Sequence, residues 1–486
     1  MVASIHNSAK RQKNMETRPN ILLIMADQMR RDAVGVNRPE FAHTPHLDQL
    51  AREGINFTHA YTSCPSCIAA RASLMTGLKP SRHGFTGYDA ATEWRYPVTL
   101  AGMLAQAGYH TQCVGKMHVE PARALMGYHN VVLHDGFLHD KRRKYRDPIE
   151  YDDYLPDLRR ELGPTADIMD DGPGCNGYAV RCWPWDERLH PTSWVTSKSI
   201  EFLRRRDPSK PFFLKVSYHR PHTPYDPPMS YFSMYEGRQM PPPIQSDWSS
   251  FLSTYGGLDC PIPREPFFVD RARRAYCALV TQIDFELNRL FTELLDLKLL
   301  DNTIILFLSD HGDMLYDHGV VRKSLPFEAS AGIPLIIRLP HTLGYHGAGT
   351  VDERTVELRD IFPTVCAMAG LPIPEGLDGL NLMDSSACRD YLHGEHAQGA
   401  MSNQWLTDGK EKYCWFSQSG RELLFDLASD PLERNDLAAK RPERIALWRK
   451  RLATELDGRP EGYVADGKLQ IGRRPMSALP WAGRGC

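Results

Sequence analysis

Long apolar stretches are missing from this 486-residue chain. The first continuous apolar run covers only residues 21–25, after a polar stretch that carries Lys10, Arg11 and Lys13. A membrane span takes about 20 residues, and a secretory leader needs a longer apolar region than this one. The expectation is a cytoplasmic protein without a membrane partner. An excess of one charge is missing too: 58 Lys and Arg stand against 60 Asp and Glu, for a net charge of −2. Nothing in that balance points to nucleic acid, so any affinity for anions must be local. The eleven cysteines form no dense framework, and their odd number forbids full pairing within one chain. Such a pattern agrees with a reducing compartment. Neither internal repeats nor low-complexity tracts occur.

What the chain does have is alternation. Residues 21–25, 110–114, 212–217 and 303–308 are short apolar runs that end in polar groups: Asp27-Gln28, Gly115-Lys116, Tyr218-His219 and Ser309-Asp310. They read as buried parallel strands. Helical patterns lie between them at 45–53, 100–107, 193–205 and 271–297. The predicted fold is α/β, a large mixed but mostly parallel sheet flanked by helices. Ligands of such sheets bind beyond the carboxyl ends of the strands, so the four polar ends are expected to share one crevice. Residues 127–190 and 224–266, rich in Pro, Gly and Tyr without periodicity, read as irregular insertions or lids. After Pro363 the pattern changes to two hairpin strands at 412–416 and 422–427 and a helix at 442–456. The expected division is an N-terminal tail at 1–17, a catalytic α/β domain at 18–365 and a small α+β domain at 366–486.

The most informative segment is Cys67-Ile-Ala-Ala-Arg71-Ala-Ser-Leu-Met-Thr-Gly77. Its small residues allow a tight helix start, and Arg71 lies one turn beyond Cys67. A helix N-terminus offers unpaired amides and partial positive charge, which suit a sulfate or phosphate. Two plainer readings stand beside this one. Cys64-Pro-Ser-Cys67 is a CxxC that suits a redox pair or half of a zinc site with His59 or His83, although no second CxxC follows. The other is a buried, inert cysteine. Asp27-Gln28 and Asp310-His311 each follow an apolar strand, so two carboxylates, an amide oxygen and an imidazole are placed to meet on one hard cation, calcium or magnesium, with manganese or zinc admitted by His311. Single aspartates at strand ends more often cap helices or turns. Gly115-Lys116-Met-His118, Pro221-His222-Thr-Pro224 and Arg322-Lys323-Ser-Leu-Pro-Phe-Glu328 add cations and imidazoles; each alone is a weak signal.

Taken in order, these motifs resemble the type I sulfatases of the alkaline phosphatase superfamily, and the resemblance runs from about residue 19 to 437. Leu358-Arg-Asp-Ile-Phe-Pro-Thr364, Leu377-Asp-Gly379 and Leu424-Phe-Asp-Leu-Ala-Ser-Asp-Pro431 extend it. The resemblance implies that Cys67 is oxidised to formylglycine by a formylglycine-generating or anaerobic sulfatase-maturating enzyme. It implies one divalent cation, usually calcium, on Asp27, Gln28, Asp310 and His311. Gln28 departs from the pattern, which has a second Asp there. Arg71, Lys116 and Lys323 would neutralise the sulfuryl group, and His118 or His222 would move protons. The implied activity is release of sulfate from a small sulfated molecule. A sugar sulfate is expected because Trp183, Trp185, Asp186, Glu187 and His190 offer stacking faces and hydrogen-bonding groups, with an ordinary packed loop as the alternative. A phosphonate monoester or phosphodiester hydrolase with the same site, and a non-catalytic anion-binding protein, are the competing functions. Metal identity and homo-oligomer formation stay open.

Overall fold

The computed structural model describes residues 18–136, 144–172, 174–254, 263–340 and 349–485. The expected tail at 1–17 lies outside the described residues. At the centre is an eight-stranded sheet of order β5-β4-β6-β1-β7-β8-β2-β9. Its strands are β1 (Asn20–Asp27), β2 (Ile55–Phe57), β4 (His110–Gly115), β5 (Asn130–Leu133), β6 (Phe212–Pro221), β7 (Thr303–Ser309), β8 (Leu335–Arg338) and β9 (Thr350–Asp352); β3 (Ala60–Tyr61) pairs separately with β10 (Val356–Glu357). Pairing is parallel from β5 through β7, whereas β8 runs antiparallel to both β7 and β2. The four strands expected from apolar runs are thus four neighbours in one sheet, β4-β6-β1-β7.

β1 shows why the run reads as continuous rather than alternating. All eight residues are buried, because helices cover both faces of the sheet. Leu22, Ile24 and Ala26 point into one core with the helices Pro191–Arg205 and Pro266–Asp296. Ile21, Leu23 and Met25 point into the other, with Cys67–Thr76, Leu100–Gln106 and Ile361–Met368. The 127–190 stretch is more ordered than its composition suggests: it holds the edge strand β5 and the helix Tyr154–Leu162. Both are short, and an edge strand of four residues leaves almost no periodic trace.

The C-terminal part forms an antiparallel meander of β11 (Leu392–His396), β12 (Asn403–Thr407), β13 (Glu411–Phe416) and β14 (Arg421–Asp426). One face buries Leu406, Tyr413, Trp415 and Leu424 beneath Ile445, Trp448, Leu452 and Leu456 of the helix Pro442–Leu456. The other buries Trp405, Cys414, Phe416, Leu423 and Phe425 against Tyr61, Trp248, Leu325 and Phe327 of the large sheet's loops. No helix among the described residues is long and apolar enough to cross a membrane.

Candidate functional site

The carboxyl ends of the four central strands converge as their polarity suggested. At the end of β1 the register with β6 shifts between Ala26 and Asp27, so that Asp27 pairs with Pro221. The His222 amide then donates to the Asp27 carbonyl at 3.2 Å. Next to β1, β7 delivers Asp310 and His311, and Gly115 at the end of β4 turns the chain to present Lys116 and His118. The helix Cys67–Thr76 starts at this crevice with an extended Ser66 and no side chain capping its amides. All ten of its residues are buried, and it ends in a left-handed Gly77.

Asp27, Cys67, Asp310 and His311 each offer one ligand atom, all within 4.8 Å of one another. The Cys67 Sγ lies 3.2 Å from His311 Nε2, 3.4 Å from Lys323 Nζ and 3.8 Å from Asp27 Oδ1. The His311 Nδ1 is 2.9 Å from the Gly312 carbonyl, and the His222 Nδ1 is 2.9 Å from the Thr223 carbonyl. A carbonyl only accepts, so each ring carries a proton on Nδ1, and Nε2 is the atom that His311 would offer to a metal. Two carboxylates and such an imidazole are an acceptable donor set for a hard divalent cation. Gln28 lies beside them with φ 67°. Its Oε1 accepts from Lys323 Nζ at 2.7 Å, and its Nε2 donates to Asp313 at 2.6 Å.

Arg71 stands where the sequence put it, one turn from Cys67, but it meets protein rather than open space. Its guanidinium donates to Asp310 at 3.0 and 3.2 Å, to Asp27 at 3.3 Å, and to the Lys116 carbonyl and Ser217 Oγ at 2.9 Å each. Lys116 is ion-paired with Asp27 as well. Burial would push the Asp27 carboxyl up, yet Lys116, His222, Lys323 and Arg71 together hold it well below the ordinary range. Asp310 is pushed up by burial and by the Asp27 charge beside it, the repulsion that a bound cation relieves. Burial and Asp27 also oppose ionisation of the Cys67 thiol, but Lys116, Lys323 and His311 outweigh them and hold it well below its usual value. Burial, followed by the Lys323 charge, keeps His222 neutral, and burial does the same for His118.

The structure therefore brings together all ten residues singled out from the sequence. It also adds Asp135, whose Oδ1 accepts from the amides of Met117 and His118 at 2.9 and 3.0 Å, as well as Ser217 and Asp313. These stand outside the motifs, though Asp135 follows an edge strand and Asp313 lies three residues past Asp310. The CxxC does not become a disulfide: Cys64 and Cys67 are both free, and His83 is bonded to Ser73 at 3.0 Å. The tryptophan pair is only partly open, with Trp185 half-buried and Trp183 enclosed. Trp183 is buried, donates to the Asp186 carbonyl at 3.1 Å and packs edge-on against Trp185 and His190. For Trp183 the packed-loop alternative holds. A cavity of about 470 Å³ instead opens beside the nucleophile position, lined by Ile68, Tyr88, Asp89, Trp94, His118 and Glu120 among others.

A sequence model of the sulfatase family matches residues 19–371. The chain is 46% identical to an arylsulfatase of Clostridium perfringens, over 95% of its own length and 99% of that protein's. It is 32% identical to a choline-sulfatase of Rhizobium meliloti, covering 87% and 82% of the two chains. In three dimensions it resembles the phosphonate monoester hydrolase of Agrobacterium radiobacter, with a TM-score of 0.74 and 25% identity over 90% of this chain and 95% of that one.

Proposed function

The chain belongs to the sulfatase family and is a sulfuric ester hydrolase; from that premise we propose that its nucleophile is residue 67, carried as formylglycine, and that a divalent cation, most simply calcium, sits on Asp27, Asp310 and His311 with Gln28 beside them. The observation that carries this reading is the four-ligand cluster built around Cys67 at an uncapped helix start. Hydrated formylglycine would supply two hydroxyls, one to attack sulfur and one to expel sulfate afterwards, and the cation would lower the pKa of the attacking one. The remaining work falls to this chain's side chains. Lys323, 3.4 Å from the position of Sγ, offers a positive charge to the sulfuryl group, and Lys116 adds another. Arg71 acts one layer below, bridging the two carboxylates. His222, neutral and held through Nδ1 on the Thr223 carbonyl, accepts the proton of the second hydroxyl. His118 lines the cavity where the leaving group would sit, and its ring is placed to hydrogen-bond the departing oxygen.

The substrate we propose is a small sulfated alcohol, a sugar sulfate in particular. The cavity beside His118 supports this, since it combines the Tyr88 and Trp94 rings with Asp89 and the Glu120–Lys144 ion pair. Phosphonate monoester hydrolysis is not favoured: its representative is 25% identical, against 46% for the arylsulfatase. Mass spectrometry of the tryptic peptide 53–71, from protein made with a maturating enzyme, tests the nucleophile. We expect sulfur and two hydrogens at residue 67 to be replaced by one oxygen, and hydrolysis of 4-nitrophenyl sulfate to track that fraction. An unmodified thiol in an equally active preparation would refute the proposal.

A further inference from the structure

His396 closes β11, the first strand of the C-terminal meander, far in sequence from every residue of the proposed site. The backbone on either side of it is sewn to the loops around Cys67. The Glu395 amide donates to the Ser63 carbonyl, and the Ala397 amide to the Thr86 carbonyl, each at 2.8 Å. The neighbouring strand adds Asn403 Nδ2, which donates to the carbonyl of Ser324, next to Lys323, at 2.9 Å. His396 is 2% exposed, and neither of its ring nitrogens has a hydrogen-bond partner. Burial, with the charges of His311 and Lys323 close enough to be felt, pushes its pKa down to about 3.

An imidazole buried with both nitrogens unpaired loses about 1–3 kcal/mol for each group left without a partner. A ring in that position is therefore suited to a polar partner that enters the site. The neutral ring presents one N–H donor and one lone pair. A sulfuryl oxygen accepts only, so it would satisfy the donor and leave the other nitrogen orphaned. A hydroxyl both donates and accepts, and two neighbouring hydroxyls satisfy both nitrogens at once.

Resting on the sulfatase reading above, we propose that His396 is a substrate-binding residue that recognises a hydroxyl group of the leaving alcohol, which makes the enzyme selective for hydroxylated sulfate esters such as sugar sulfates over plain aryl sulfates. The C-terminal meander thereby supplies a specificity element to a site whose other groups come from the large sheet.

The test compares kcat/KM for a panel of monosaccharide monosulfates with that for 4-nitrophenyl sulfate, in wild type, His396→Leu and His396→Gln. His396→Leu should lower the sugar-to-aryl ratio of kcat/KM about tenfold, the loss expected when a polar partner is removed. His396→Gln, which keeps a donor and an acceptor, should recover part of it. Thermal unfolding and the formylglycine content of each variant separate a misfolded or unmodified protein from a change of selectivity. An unchanged ratio in His396→Leu, or a wild type that cleaves the aryl ester but none of the sugar esters, overturns the proposal and leaves the sulfatase reading standing. Fully modified wild type that cleaves no sulfate ester refutes both.

Discussion

Arg71 commits every guanidinium nitrogen to protein partners, four of its five contacts being with Asp27, Asp310 and Ser217. Its value lies in keeping two fully buried carboxylates, which repel each other, in one site. Removing one member of such a group leaves uncompensated buried charge, so Arg71→Ala should destabilise the fold by about 3–5 kcal/mol. Urea unfolding in the presence of a chelator checks this, because a bound cation would mask part of the loss; a change below about 1 kcal/mol would contradict it. At this scale the sequence was readable where several reactive residues share a few positions, as in Gly115-Lys116-Met-His118 or Asp310-His311. The position of Arg71 was readable and its partners were not, since those come from two strands and a loop far away in the chain. Asp135, Ser217 and His396 stayed hidden for a related reason. Each is a single polar residue beside an ordinary strand, and only the fold reveals what it faces.

Elements place these side chains by where they stop. The central strands were legible because they are buried on both faces and so spell unbroken apolar runs; the helix 442–456 was legible because its apolar positions recur with helical spacing. The three-residue strands β2 and β9, and the antiparallel run of β8, escaped because three or four residues carry too little pattern and because strand direction is set by connections, not composition. The clearest stop is Gly115. It has φ 95°, and a Cβ there would lie 2.0 Å from the Ser217 carbonyl oxygen, which accepts the Lys116 amide. Gly115→Ala therefore faces both an unfavourable backbone conformation and a collision with a neighbouring strand. We expect more than about 1 kcal/mol of destabilisation, and a fall in kcat because Lys116 is pushed from its place. Calorimetry together with steady-state kinetics on 4-nitrophenyl sulfate would detect the pair of effects.

At the scale of the whole molecule, the seam between the large sheet and the C-terminal meander encloses a buried charged group within its apolar packing. Lys412 on β13 is ion-paired with both Glu328 and Glu433, Glu328 pairs with Arg31, and Tyr61 lies beneath the lysine. Burial, opposed by Lys412 and reinforced by the Glu328 charge, pushes the Glu433 carboxyl from its ordinary 4.5 to about 7. Burial would raise Glu328 as well, but Lys412 and Arg31 hold it down at about 2. A carboxyl whose folded pKa lies above its unfolded one stabilises the fold below the unfolded value, and that contribution is lost as pH rises through about 7. Glu328 has the opposite sign, losing its contribution only as pH falls toward 2. The seam should therefore loosen from about pH 4.5 to 7 and level off above that, and Glu433→Gln, which stays neutral, should flatten that decline. Melting temperatures across this interval decide the matter; parallel curves for the two proteins would disprove it.

The burial of Cys67, only 1% exposed beneath loops that β11 ties down, also sets an order of events during synthesis. If another enzyme oxidises residue 67, as proposed, it must reach that residue while the segment is still open. Roughly three hundred residues separate Cys67 from the strand that ties those loops down, and at about 5–20 residues per second the ribosome grants a window of some tens of seconds. Maturation would then be a race between an encounter and the emergence of the last hundred residues, and a shortage of the modifying enzyme would yield fully folded molecules that are permanently inactive.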